Sequence, residues 1–321
     1  MRAIGLLLIA VSLALGGTAR ADDYPDRPIK LIVPYPAGGG TDIAARWIAQ
    51  QLGARMKYQV IVDNRGGANG NLGTDLVAKA APDGYTLGMG TPGPVTVGKS
   101  LYAGLPYDPL KDLAPVILAN ASPIVLVVNP GLAANTVADV VALAKASPGK
   151  LTAALVSTGS VPHLVTEMFK EAARIDILDV PYKGGGPAAI DVISGQVDMF
   201  FSVLPLVLPH IKAGKLRAVA VASASRSSLL PSVPTFREAG YVDVVGSAWN
   251  GIVAPAGTSP KVIATLNAAI ASVLASDETK ASFATLGMEA VGGSPQQFSE
   301  FLNGETAKWA AVIKSARIQP E

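Results

Sequence analysis

The stretch Pro34-Tyr35-Pro36-Ala37-Gly38-Gly39-Gly40-Thr41-Asp42 constrains the fold more than any other part of the chain. Ahead of it, Ile29-Lys30-Leu31-Ile32-Val33 is a branched run that reads as a buried strand. Behind it, Ile43, Trp47, Ile48 and Leu52 recur at helical spacing, so a helix is expected to begin near Thr41 or Asp42. Prolines and glycines therefore sit where a strand gives way to a helix. Such a place offers unpaired backbone N–H groups and the positive end of a helix dipole. Glycine lets a bound group approach the backbone, and an anion can be held there without a basic side chain. A tight connection with no ligand is the competing reading. A nucleotide fits less well: a dinucleotide loop would need glycine where Ile43 stands, and the Gly-Lys-Ser/Thr of a phosphate loop is missing. A carboxylate suits the turn better than a pyrophosphate.

The same pattern returns along the chain. Branched runs alternate with helical ones, which argues for an α/β fold with mainly parallel pairing. Strands are expected at 58–62, 85–89, 124–128, 151–156, 177–180, 196–201 and 216–222. Thr136 and Asp139 suit a capping box for a helix over 137–145. Helices over 260–274, 277–286 and 295–317 close the chain. After the 151–156 strand, Ser157-Thr158-Gly159-Ser160-Val161-Pro162-His163 leads into a second helix. Two strand–turn–helix units of this kind could face each other and grip one ligand.

The first twenty-one residues read as an export signal. Arg2 opens it, residues 4–15 are apolar, and Ala19-Arg20-Ala21 fits a small-x-small cleavage pattern. Cleavage after Ala21 removes Arg2 and Arg20 and takes the formal charge from +2 to zero. A neutral chain carries no electrostatic footprint for nucleic acid or an anionic bilayer. The apolar run falls short of the ~20 residues of a spanning helix. The protein is expected free in the periplasm of a bacterium, as a monomer.

Catalytic chemistry leaves no trace. There is no cysteine, and the two histidines, His163 and His210, lack metal-site spacing. No G-x-S-x-G elbow occurs, no cofactor motif is present, and no metal site is expected. The chain reads as a binder.

Several segments in order resemble the periplasmic receptors of tripartite tricarboxylate transporters, the Bug family. They are Val33–Asp42, Asn64–Gly73 with 81–87, 105–116, 180–188 with 195–201, and Ala254-Pro255-Ala256-Gly257-Thr258. The resemblance covers essentially the whole mature sequence. It implies an α/β, two-lobed periplasmic-binding-protein fold of type II, each lobe a sheet flanked by helices, joined by two crossing strands. One lobe would combine 22–122 with 225–321, and the other would be 123–224. It further implies that a small mono- or dicarboxylate sits between the lobes for delivery to the transporter's membrane subunits. A sensor that docks a signalling partner, or a binder of an amino acid or other solute, are the alternatives.

By that resemblance one ligand carboxylate is held by the loop of Tyr35, Ala37, Gly38, Gly39 and Asp42 together with the loop of Ser157, Thr158, Gly159, Ser160 and His163. The chain departs from the family pattern at Leu155-Val156, where small polar residues are usual, and at Ser157, which stands in place of glycine. Gly66 similarly stands where proline is common. Asp42 could be a helix N-cap, brace the loop, or meet the ligand. His163 could be a loop residue or a ligand contact. Thr91, Tyr182 and Asp198 are candidates to read the far end of the ligand. Asp198 could instead brace the 182–186 loop, since a buried charge needs a partner. Trp249 reads as core before it reads as ligand contact.

Overall fold

A computed structural model describes residues 24–320. The expected export segment and its cleavage point lie outside the described residues. Strand β1 (Ile29–Val33) leads into α1 (Gly40–Met56), and β2 (Val60–Asn64) into α2 (Asn71–Ala78). Next, β3 (Thr86–Gly90) leads into a π-turn at Gly93–Val97 that continues as the short α3 (Gly98–Leu101). A 16-residue strand follows, β4 (Leu113–Val128). Then come α4 (Val137–Ala146), β5 (Thr152–Val156), α5 (Val161–Ala173), β6 (Leu178–Tyr182), α6 (Gly185–Ser194), β7 (Met199–Val203), α7 (Leu204–Lys212) and β8 (Arg217–Val221). The chain goes on through β9 (Ser247–Pro255), α8 (Pro260–Ala275), α9 (Asp277–Thr285), β10 (Glu289–Gly292) and α10 (Pro295–Ser315).

The strands lie in the order β2-β1-β3-β9-β4-β7-β5-β6, with β8 and β10 also paired to β4. Outer neighbours are parallel, as helical crossovers require: β1 with β2 and β3, and β5 with β6 and β7. Every pairing of β4 and β9 is antiparallel. This corrects the expectation of mainly parallel pairing, because apolar composition marks a strand without giving its direction. Direction comes from the connections, and β4 and β9 do not belong to the crossover units.

One strand serves two sheets. From Leu113 to Pro123, β4 pairs with β9, and from Ile124 to Val128 it pairs with β7. The result is a two-lobed α/β fold with helices flanking each sheet. Ile124, Leu126 and Val128 enter one core beside Phe169 and Phe201, while Val125 and Val127 enter another beside Phe200 and Val207. Burial on both faces explains why this segment is apolar throughout rather than alternating. The other lobe packs β1 and β3 against α1 and α8, through Ile48, Leu52, Leu266 and Ile270.

Candidate ligand cleft

Helix α1 begins at Gly40, and its N-cap is Gly39, which is extended (φ −77°) and supplies no side-chain bond. The N-cap role considered for Asp42 is therefore corrected: Asp42 lies in the first turn of the helix and folds back on the loop. One of its carboxylate oxygens accepts from the Gly38 N–H (2.9 Å) and from Arg46 Nε (3.0 Å), and the other accepts from Asn64 Nδ2 (2.9 Å). Asn64 Nδ2 also donates to the Tyr35 carbonyl at 3.0 Å. Asp42 is only 3% exposed. Burial pushes its pKa up, but the Arg46, Gly38 and Asn64 hydrogen bonds outweigh that and hold it below the usual carboxylate value. The acid is a brace for the turn.

That brace occupies the Gly38 amide. Among the described residues, the amides of Gly39, Gly40 and Thr41 take no protein acceptor, as the first turn of a helix leaves them. Beside them the Tyr35 hydroxyl lies 3.1 Å from Thr91 Oγ1. Burial raises the Tyr35 pKa, with the Thr91 hydrogen bond opposing it more weakly, so the phenol stays protonated.

The second turn is built differently. Ser157 (φ +57°) and Gly159 (φ +75°) are both left-handed. The Gly159 amide donates to His163 Nδ1 at 3.0 Å, so His163 acts here within its own turn. Ser160 caps α5: its Oγ accepts from the His163 amide (3.4 Å) and donates to the Val156 carbonyl (2.7 Å). The Ser160 amide goes to the Ser157 carbonyl. This turn has spent most of its donors on itself.

The two turns meet across a cavity of about 500 Å³. Gly40 and Thr41 line it from the first turn, and Ser160, Val161 and Pro162 from the second. Tyr35, Asn69 and Thr91 stand to one side, and Ser122, Trp249 and Asn250 come from the two long strands. The Trp249 indole N–H is buried without a protein acceptor, which leaves a donor on a residue of the cavity wall. Asn250 Nδ2 donates to Asn120 Oδ1 at 2.8 Å, its partner in the β4–β9 register.

The structure thus brings Tyr35, Thr91 and Ser160 together at the cavity, while Gly39 precedes the lining residue Gly40 and does not itself line it. Ala37, Gly38, Ser157, Thr158, Gly159 and His163 shape the two turns without lining it. Two candidates stand elsewhere. Asp198 Oδ2 accepts from the Thr152 amide and hydroxyl, both at 2.8 Å. Thr152 starts β5, and the second turn follows that strand's other end, roughly 15 Å away at ~3.3 Å per residue. Asp198 braces the start of the strand, not the 182–186 loop. The Tyr182 hydroxyl donates to Asp191 at 2.6 Å; burial and that carboxylate push its pKa up to about 12. Asn69, Ser122, Asn250 and the apolar wall were not foreseen. Asn69 carried a local signal, a loop Asn-Gly pair that tolerates positive φ, whereas the Asn250-Gly251 pair lies inside β9 and signals no turn. Among the described residues, no group of three or more acidic, His or Cys side chains is placed to hold a metal.

A family model described as the tripartite tricarboxylate transporter family receptor matches residues 44–318. The chain belongs to that family. Its members are periplasmic solute-binding receptors rather than enzymes, and no described helix of this one is long and apolar enough to cross a membrane. The receptor is similar to Protein BugT of Bordetella pertussis, 42% identical over 313 residues and 96% of each chain. It is also similar to an R. palustris protein solved with adipate, at 37% identity and a TM-score of 0.81, over 93% of this chain and all of that one. MatC from Rhodopseudomonas palustris with bound malate is 30% identical, with a TM-score of 0.76 over 90% of this chain and all of that one.

Proposed function

We propose that this receptor captures a small organic carboxylate between its lobes and hands it to the membrane subunits of a tripartite tricarboxylate transporter. One observation carries the reading: Gly40 and Thr41, whose amides take no protein acceptor, line the cavity together with Ser160 of the second turn. The relatives that hold adipate and malate support a carboxylate as the class of ligand. A hydrogen bond to a charged group contributes roughly 1.5–3 kcal/mol. Three or four of them reach the ~8 kcal/mol of a micromolar dissociation constant.

In this reading the first turn, with Tyr35 and Thr91, does most of the gripping, and Asp42 and His163 hold their turns in shape. The lobes we assign are 22–122 with 225–321, and 123–224. The core of the second also takes in Phe236, Val244 and Trp309 from beyond its limits. The mature protein acts as a monomer in the periplasm, after cleavage following Ala21.

Calorimetry of the purified mature protein against a panel of mono- and dicarboxylates tests the proposal. Micromolar binding of at least one acid is expected, weakened at least tenfold by Tyr35→Phe. If no acid binds and no acid raises the melting temperature, the carboxylate reading is wrong and a ligand-free docking role takes its place.

A further inference from the structure

Beside its apolar wall of Val203, Pro205, Leu206 and Met288, the cavity has a polar floor. The floor comes from the two long strands. In their antiparallel register Asn120 stands opposite Asn250, and Ser122 opposite Ala248. Residues two apart in a strand point to one face, so these four share a face. Ser122, Ala248 and Asn250 line the cavity. The same strands bury Ile117, Ala119, Ile252 and Val253 close by. Three polar side chains thus interrupt an apolar stretch where it meets the cleft.

The interruption destabilises the fold. Asn120 is fully buried; its Oδ1 accepts from Asn250 Nδ2 at 2.8 Å, but its own Nδ2 has no acceptor. A buried amide left half-paired lowers stability, and such departures gather where a protein binds or reacts. Asn120 orients Asn250. With one N–H committed to Asn120, the Asn250 amide keeps a second N–H and its Oδ1, neither with a protein partner among the described residues. Ser122 is 5% exposed, and its hydroxyl likewise has no protein partner among the described residues. The turn amides can only donate, whereas this floor both donates and accepts.

That combination fits a hydroxyl. A hydroxyl donates to the Asn250 oxygen and accepts from Ser122 or from the free N–H. A methylene meets none of these groups, and a carboxylate can only accept. Ser122 and Asn250 are diagonal neighbours across the strand pair, roughly 7–8 Å apart, so one hydroxyl seated between them is within reach of both side chains.

Resting on the carboxylate reading above, we propose that the receptor is specific for a hydroxy acid. The carboxylate goes to the amides of Gly40 and Thr41, and a hydroxyl on the ligand's carbon chain goes to Ser122 and Asn250, which Asn120 holds in place. The floor neither requires nor excludes a second carboxylate. A site that bonds a ligand hydroxyl rejects the analogue without it, because its own polar groups are then left unpaired.

Calorimetry on the mature protein separates matched pairs: lactate against propionate, β-hydroxybutyrate and γ-hydroxybutyrate against butyrate, malate against succinate. In at least one pair the hydroxy acid is expected to bind about tenfold tighter or more. Ser122→Ala, and Asn120→Ala combined with Asn250→Ala as a second variant, should bring that ratio down towards one while the plain acid keeps its affinity. Tyr35→Phe, at the first turn, should weaken both members alike. Plain acids that match their hydroxy partners in every pair mean that the floor holds water alone, which overturns the inference and leaves the carboxylate reading standing. A hydroxyl preference undiminished in both folded variants places the hydroxyl elsewhere in the cavity and overturns it too. Free alanine binding tighter than lactate assigns the floor to an ammonium group and overturns the hydroxyl. Lactamide binding as tightly as lactate, or no acid binding at all, overturns the carboxylate reading and this inference with it.

Discussion

Asp42 shows how one side chain can prepare a binding turn without touching what binds. Its oxygens gather the Gly38 amide, Arg46 and Asn64, and Asn64 in turn holds the Tyr35 carbonyl. Asp42→Asn removes the charge from this set and should cost about 1.5–3 kcal/mol of stability in urea unfolding. Because the folded pKa lies below the ordinary 3.8, the ionised form is favoured in the folded state. The stabilisation is complete above that ordinary value and disappears as pH falls through the lower folded one. Melting curves of the ligand-free protein should therefore show a constant gap between wild type and Asp42→Asn from neutral pH down to about 4, and a closing gap below. A gap that persists unchanged at pH 2 would count against the brace. Glycines that look alike in sequence also part company here. Gly39 has an ordinary φ, and an added Cβ would stand 3.8 Å from the nearest atom. Gly159 has φ +75°, and an added Cβ would fall 2.4 Å from Leu101 Cδ2. Alanine at Gly159 should cost on the order of 1–3 kcal/mol by thermal unfolding, while alanine at Gly39 should cost a fraction of that. The motif announced a glycine-rich turn at both places, but which glycine is required depends on Leu101, far off in the chain.

Local elements were legible where their signals are local. Thr136 and Asp139 do form a capping box: Thr136 Oγ1 accepts from the Asp139 amide at 3.2 Å, and Asp139 accepts from the Thr136 amide at 2.9 Å. β4 was half legible. Ile124–Val128 reads as a strand, but Pro115, Asn120 and Pro123 hide the first half, since proline and asparagine are poor strand formers. Pro115 is accommodated at an irregularity in the β4–β9 register. Helix α7 was not foreseen either: Pro205 and Pro209 are poor helix formers, yet Pro205 sits in the first turn, where no intrahelical N–H is needed. The asparagine in the hidden half of β4 carries weight. Asn120 is fully buried, and its side-chain bond is to Asn250 on the facing strand. Asn250→Ala would leave the buried Asn120 Oδ1 without its donor and should lower stability by about 1–3 kcal/mol in chemical denaturation. Asn250→Ala combined with Asn120→Ala should recover part of that loss; a purely additive pair would show that the bond is not what holds the strands there.

At the scale of the whole molecule, sequence patterns said that there would be strands and helices in alternation but not how two halves share them. The division into lobes came from resemblance alone, because β4 crosses without any break in composition. The close approach of the 286–288 loop to α7 is equally invisible in sequence. It joins residues far apart in the chain at the mouth of the cleft, with Gly287 left-handed (φ +71°) and pressed on Pro205. Gly287→Ala should wedge this contact open and weaken ligand binding at least tenfold, mainly through faster release; stopped-flow dissociation rates would show it, and an unchanged rate would mean that this contact does not help hold the ligand. The far end of the chain has its own consequence. Trp309, Val312, Ile313 and Ile318 complete a core otherwise built from residues between Val97 and Val244. That half of the receptor therefore cannot seal its interior with its own residues: it closes only when a helix from the other half docks, so the two halves are bound to fold as one unit rather than apart.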